Sequence, residues 1–169
     1  FAVVELSSFQ LISMRQSPDI AVLTNVAPNH LDMHKDMQEY IDAKRNILLH
    51  QDAFSRSVLN LDNEITRAMQ ADCRGEVSFF SRKSPVKDGV YLAQDGTILM
   101  ACNDSITPVI HREDIRIPGI HNVENYLAAI SAVRGLVSFE TIRRVAREFP
   151  GVEHRIELVR ESGGVKWYN

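Results

Sequence analysis

Apolar residues along this chain recur in two rhythms, and the alternation between them outlines the fold. Near-continuous apolar runs at Ala2–Leu6 and Ile20–Val26 predict central parallel strands covered on both faces. Between them Ser7–Arg15 predicts one short helix, ended before Pro18. A longer helix is expected from Met37 to Leu49, with Met37, Tyr40, Ile41, Ile47 and Leu48 as its apolar positions. Ser57–Leu61 predicts a strand, Asp62 a cap for a helix through Met69, and Glu76–Phe80 another strand.

Past residue 89 the rhythm changes. Val90–Ala93 and Thr97–Ala101 flank Gln94-Asp95-Gly96, a hairpin signal, and Asp114–Ile117 reads as a further short strand. Helical period returns after Gly119, where Val123, Leu127, Ile130 and Val133 share a face. A second helix is expected over Phe139–Glu148, stopped by Pro150-Gly151. Arg155–Arg160 and Val165–Tyr168, joined by Gly163-Gly164, predict a final strand pair. Strand–helix alternation implies an α/β fold with a mainly parallel sheet flanked by helices, and the hairpins imply a small inserted antiparallel sheet.

Composition narrows the function. The 169 residues are 44% hydrophobic and 24% charged, which excludes a disordered chain, and one domain of this size buries a core unaided. A net charge of −3 gives no broad surface for nucleic acid or anionic membrane. Cys73 and Cys102 lack CxxC spacing, and no apolar run approaches a membrane span or a signal peptide, so a cytoplasmic setting is expected. The first and last residues both read as strand, which suggests a piece of a longer protein.

Candidate chemistry gathers after the first two predicted strands, at the edge where parallel sheets bind ligands. Glu5 either reaches a bound metal there or is a solvent-facing strand end, and Ser7 and Ser8 are caps or ligand donors. His30, Asp32 and His34 alternate in a loop, a pattern that serves metal ligation, acid–base chemistry or plain turn formation. Lys44 sits among Tyr40, Ile41, Ile47 and Leu48, where a lysine either snorkels to water or carries a perturbed or modified amine. Asn122 and Asn125 share a face at a helix start, as a cap or as a pair of amides able to read a purine edge. Arg155 is a surface cation or a phosphate or ribose contact.

The wording and order of these motifs resemble one family. Glu5-Leu6-Ser7-Ser8-Phe9-Gln10-Leu11 resembles a signature of the Mur ligases, with Phe9 pointing to the D-glutamate-adding branch. The lysine- or diaminopimelate-adding enzymes more usually carry histidine there. Thr24-Asn25-Val26 with Asn29-His30-Leu31-Asp32, Tyr40-Ile41-Asp42-Ala43-Lys44, Gly119–Asn125 and Pro150–Glu157 are similar to further family segments, in family order.

The resemblance implies a mononucleotide-binding α/β domain, the central ATPase domain (residues 1–169, partial) of a monomeric enzyme. That enzyme would join D-glutamate to UDP-N-acetylmuramoyl-L-alanine in peptidoglycan synthesis, with ATP and magnesium. Glu5 and His30 would then sit at magnesium sites, and Lys44 would be an N-carboxylated (carbamylated) lysine beside them. Asn122 and Asn125 would face adenine, Arg155 the nucleotide, and Ser7 and Gln10 the muramoyl substrate. Two departures stand out: Asn29 replaces a frequent Asp, and no G-x-x-x-x-G-K-[ST] phosphate loop occurs in the 169 residues. Another Mur ligase and a metal-dependent hydrolase built on His30, Asp32, His34 and Lys44 are the competing readings, with a non-catalytic nucleotide-binding domain as a third.

Overall fold

The computed structural model describes residues 1–27, 34–152 and 158–169. Six strands form one mixed sheet in simple sequence order: β1 (Ile20–Leu23), β2 (Arg56–Asn60), β3 (Glu76–Ser81), β4 (Gly89–Leu92), β5 (Thr97–Cys102) and β6 (Ser105–His111). The first four are parallel and the last two antiparallel. The antiparallel strands therefore extend the parallel sheet along one edge. The separate two-stranded sheet pairs β7 (Leu158–Ser162) with β8 (Val165–Tyr168). Its turn is Gly163-Gly164, both at positive φ as a tight hairpin requires.

Helices cover both faces. Strand alternation sends Val58 of β2 into one core and Leu59 into the other. One core joins Val58, Phe80, Val90 and Ile98 to Val123, Leu127 and Ile130 of α4 (Ile120–Ala132) and to Ile142 and Ala146 of α5 (Phe139–Glu148). The other joins Ala21, Leu23 and Leu59 to Leu11 of α1 (Ser8–Leu11), to Tyr40, Ile47 and Leu48 of α2 (Met37–Leu49), and to Met69 just past α3 (Glu64–Ala68). The predicted bounds of α2 and α5 are those observed; Asp36 and Ser138 cap them, accepting from the Glu39 and Thr141 amides.

Several expectations are corrected. Ala2–Leu6 forms no strand: the segment has no ladder partner among the described residues and Phe1, Val3 and Val4 are exposed, so its apolar run lacks the pairing that a strand needs. The first helix is shorter than Ser7–Arg15, being the single turn Ser8–Leu11. β1 stops at Leu23 rather than Val26. Asn63 caps α3 through the Thr66 amide, not Asp62, whose carboxylate accepts instead from Ser81 Oγ and the Arg82 amide. Asp114–Ile117 is not a strand; Arg112–Asp114 form a 3-10 turn and the Arg116 amide bonds to the Ala146 carbonyl of α5. The strand that was missed, β6, contains Pro108, which an edge strand tolerates because no ladder bond is lost. Its hairpin turn is Asn103-Asp104, two non-glycine residues at positive φ.

Charge fixes the orientation of α4. After its last turn Arg134 pairs with Glu76 at the start of β3 and with Asp88 just before β4. Arg56 reaches the same Glu76 and the carbonyls of Ala132 and Arg134. Near its start, Glu124 accepts from Arg82 just past β3 at 2.6 Å. The helix thus runs antiparallel to the strands, its N-terminus at their carboxyl edge. Replacing Arg134 by Met strands Asp88 and leaves Glu76 with Arg56 alone, and the cation removed sits on a side chain only 12% exposed. Chemical denaturation should show a loss of roughly 2 kcal/mol, between the values for exposed and buried pairs. The Arg147→Met change, at an exposed pair with Asp114, should cost less than about 1 kcal/mol, and equal losses would refute the clamp.

Candidate functional site

A polar-lined hollow of about 480 Å³ lies where α1 meets α2. Its walls are Glu5–Gln10 on one side and Tyr40 and Lys44 on the other. Four residues singled out by the sequence, Glu5, Ser7, Gln10 and Lys44, are thereby brought together.

One wall is a single helical turn, too short to hold its shape by backbone bonds alone. A capping box holds it: the Gln10 amide donates to Ser7 Oγ at 3.4 Å, and Gln10 Oε1 accepts from the Ser7 amide at 2.8 Å and from Ser7 Oγ at 2.9 Å. Ser7 is thus a cap, as one reading of it expected, and both residues stay exposed. Asn46 of α2 donates to the carbonyls of Leu11 and Ile12, tying the end of the turn to the opposite wall.

The other wall carries Lys44. It shares its helix with buried Tyr40, Ala43, Ile47 and Leu48, and its Nζ stands 5.7 Å from the Tyr40 ring centroid. Burial lowers the Lys44 pKa from its ordinary value, and the charge of Glu5 partly opposes that fall. No carboxylate lies within ion-pair distance of Nζ among the described residues. The amine is therefore half-buried, facing a carboxylate across a cleft rather than locked to one.

His34 does not take the metal-ligand role considered for it. Its Nε2 is 2.8 Å from Ser8 Oγ and its Nδ1 is 3.5 Å from Glu39 Oε2, so both ring nitrogens already face protein groups. His30, Asp32 and Arg155 lie outside the described residues. Asn122 and Asn125 come together near the start of α4, with Asn125 Nδ2 3.5 Å from Asn122 Oδ1. Asn122 is no N-cap: Gly119 holds that position with no side-chain cap, and Asn122 Nδ2 donates back to the Pro118 carbonyl at 2.6 Å. Neither asparagine lines the cleft. They stand at the carboxyl edge of the sheet, where a helix N-terminus favours phosphate groups.

That edge is stitched. Asn60 donates to the Thr24 carbonyl, and Asn63 to Asn25 Oδ1 and the Val26 carbonyl, joining the segments after β1 and β2. Asp62 then joins the second to Ser81 and Arg82, and Arg82 to α4. In a second hollow of about 370 Å³ between α2 and α3, the Arg45 fork is closed on Asp72. Sequence reasoning missed Tyr40 as a wall of the cleft, having counted it in an apolar stripe and a motif without a role, and missed the Ser8–His34 link. No local pattern announces a contact between residues 26 positions apart.

Comparison with known proteins gives the family and the fold. The sequence matches the Mur ligase middle domain over residues 1–133. It is 52% identical to UDP-N-acetylmuramoylalanine–D-glutamate ligase of Ruminiclostridium cellulolyticum, over 99% of this chain and 36% of that protein. For the protein of the same name in Acetivibrio thermocellus the identity is 53%, with the same coverage. The chain therefore spans about a third of the length of these relatives. Among solved structures, MurF from Acinetobacter baumannii superimposes with a TM-score of 0.67 at 17% identity, covering 87% of this chain and 32% of that one. MurF ligase from Thermotoga maritima, solved in complex with ADP, gives 0.60 at 22% identity, covering 89% and 34%. With a parallel sheet of the same fold and a family match over most of its length, the chain belongs to the Mur ligase middle-domain family.

Proposed function

We propose that this chain is the central, ATP-using domain of a cytoplasmic, monomeric ligase that joins D-glutamate to UDP-N-acetylmuramoyl-L-alanine in peptidoglycan synthesis. The observation that carries it is the convergence of Glu5, Ser7, Gln10 and Lys44 on one cleft, in a chain half identical to proteins of that name. In the proposed reaction the substrate carboxylate attacks the γ-phosphorus of ATP to give an acyl phosphate and ADP, and the amine of D-glutamate displaces phosphate. Two anions must approach in the first step, so the site has to offset charge.

The chain's own residues divide that work. Ser7 and Gln10 present hydroxyl and amide groups on an exposed turn, suited to orienting a polar substrate. Asn122 and Asn125, at the positive end of α4, would read adenine, with Arg155 on the nucleotide. The donors in the cleft are hard oxygens, Glu5 foremost, which suits magnesium; Glu5, His30 and a carbamylated Lys44 would hold it. Bound there, magnesium would offset phosphate charge. Lys44 fits the modification because burial favours its neutral amine, which adds to CO₂ and releases a proton to give the anionic carbamate. The hydrolase reading loses His34, whose ring nitrogens face Ser8 and Glu39.

Three outcomes follow. The 169 residues alone should release no ADP when given both substrates and Mg²⁺, because a phosphate loop and an amino-acid site must come from elsewhere; robust turnover would sink the domain assignment. In the full-length ligase, Asn122→Ala or Asn125→Ala should raise the KM for ATP more than that for the muramoyl substrate, each lost hydrogen bond costing about 1 kcal/mol. Stability loss with unchanged ATP kinetics would make the pair merely structural. Lys44→Ala should abolish most turnover, short-chain carboxylates should partly restore it, and Lys44→Arg should stay inactive even with carboxylate. Near-normal activity in Lys44→Arg would eliminate the carbamate.

A further inference from the structure

Behind the cleft, one side chain touches both of its walls. His34 occupies that place. It is 5% exposed, and its ring lies between Phe9 of α1, stacked at 5.1 Å and 5° between planes, and Tyr40 of α2, tilted at 5.3 Å. Its Nε2 contacts Ser8 Oγ at 2.8 Å. Glu39 Oε2 faces Nδ1 at 3.5 Å and also accepts from the Lys35 amide at 2.7 Å, which fixes the carboxylate at the start of α2. A carboxylate on Nδ1 favours the proton there, leaving Nε2 to accept from the Ser8 hydroxyl. Ser8 is 3% exposed, too enclosed to act as a nucleophile.

We propose that His34 is a positioning residue: it clamps the Ser7–Gln10 turn of α1 to the first turn of α2 and so sets the alignment of Glu5, Ser7 and Gln10 with Tyr40 and Lys44. The turn needs such a clamp, because four residues of helix have little stability of their own and the capping box ties α1 only to itself. Asn46 holds the far end of the turn, at Leu11 and Ile12, whereas His34 holds the near end from which Glu5 and Ser7 project into the cleft. Tyr40 transmits the same constraint to Lys44, since one ring packs on His34 and lies beside Nζ. The catalytic part of this inference rests on the proposed ligase function; the clamp itself does not.

The test has two arms. Amide hydrogen exchange of the protein reads the clamp without any turnover. In His34→Phe, which keeps the stacking, and in Ser8→Ala, the Gln10, Leu11 and Ile12 amides should exchange about tenfold faster while those of Ala43–Leu48 stay within about twofold. In the full-length ligase, both variants should lower kcat/KM for the muramoyl substrate about tenfold with the KM for ATP within about twofold. The double variant should be no worse than the poorer single, and His34→Gln, whose amide can still meet Ser8, should recover most of the loss. Unchanged exchange in α1, equal acceleration in α1 and α2, additive losses in the double variant, or a loosened turn with normal kcat/KM would each overturn the proposal. If the unaltered ligase makes no amide product, the functional reading fails and the exchange arm alone decides the clamp.

Discussion

The direction of α4 is the constraint on which the rest of the site depends. A helix packed on a sheet by apolar contact alone can slide or tilt at little cost, since burial is non-directional. Here ion pairs at both ends remove that freedom, Glu124 with Arg82 at the carboxyl edge of β3 and Arg134 with Glu76 and Asp88 at the opposite edge. Because Arg134 is largely enclosed, its pairing carries more weight than the exposed pair of Arg147. The positive end of α4, with Asn122 and Asn125 on it, is thereby held at the edge where parallel sheets receive ligands. The bonds of Asn60, Asn63 and Asp62 bring the loops after β1, β2 and β3 to the same edge.

The cleft between α1 and α2 shows how a weak local structure is made exact by tertiary contacts. One helical turn presents Ser7 and Gln10, yet its own capping box and the ties to His34 and Asn46 come from side chains rather than from helix propensity. Lys44 opposite is a compromise between burial, which lowers its pKa, and the nearby charge of Glu5, which raises it. Burial favours the neutral amine, and this with its place on the cleft supports the modification proposed for Lys44.

Much of the scaffold was legible in the sequence. The apolar period of residues 37–49 marked α2, and the stop at Pro150-Gly151 marked the end of α5. β6 was hidden by Pro108 and by a turn, Asn103-Asp104, that reaches positive φ without glycine. Ala2–Leu6 misled because composition reports burial but not whether a neighbouring strand is present to pair. Glu5 and Ser7 were noticed by their place after a predicted strand and Lys44 by helical period, but these left each ambiguous, and Gln10 was found only through motif wording. The Ser8–His34 contact was beyond reach, since it exists only once α1 and α2 are docked.

The family assignment and the fold are consistent with one another, and the proposed ligation adds a chemical claim to them: the substrate carboxylate is activated by phosphorylation. Oxygen tracing tests this most directly. With the muramoyl substrate labelled by ¹⁸O in its reacting carboxylate, attack on the γ-phosphorus and displacement by the amine of D-glutamate must leave one labelled oxygen in the phosphate released. The full-length ligase carrying this domain should transfer one ¹⁸O to phosphate for each amide formed. Amide formation, or substrate hydrolysis, with unlabelled phosphate would contradict the account.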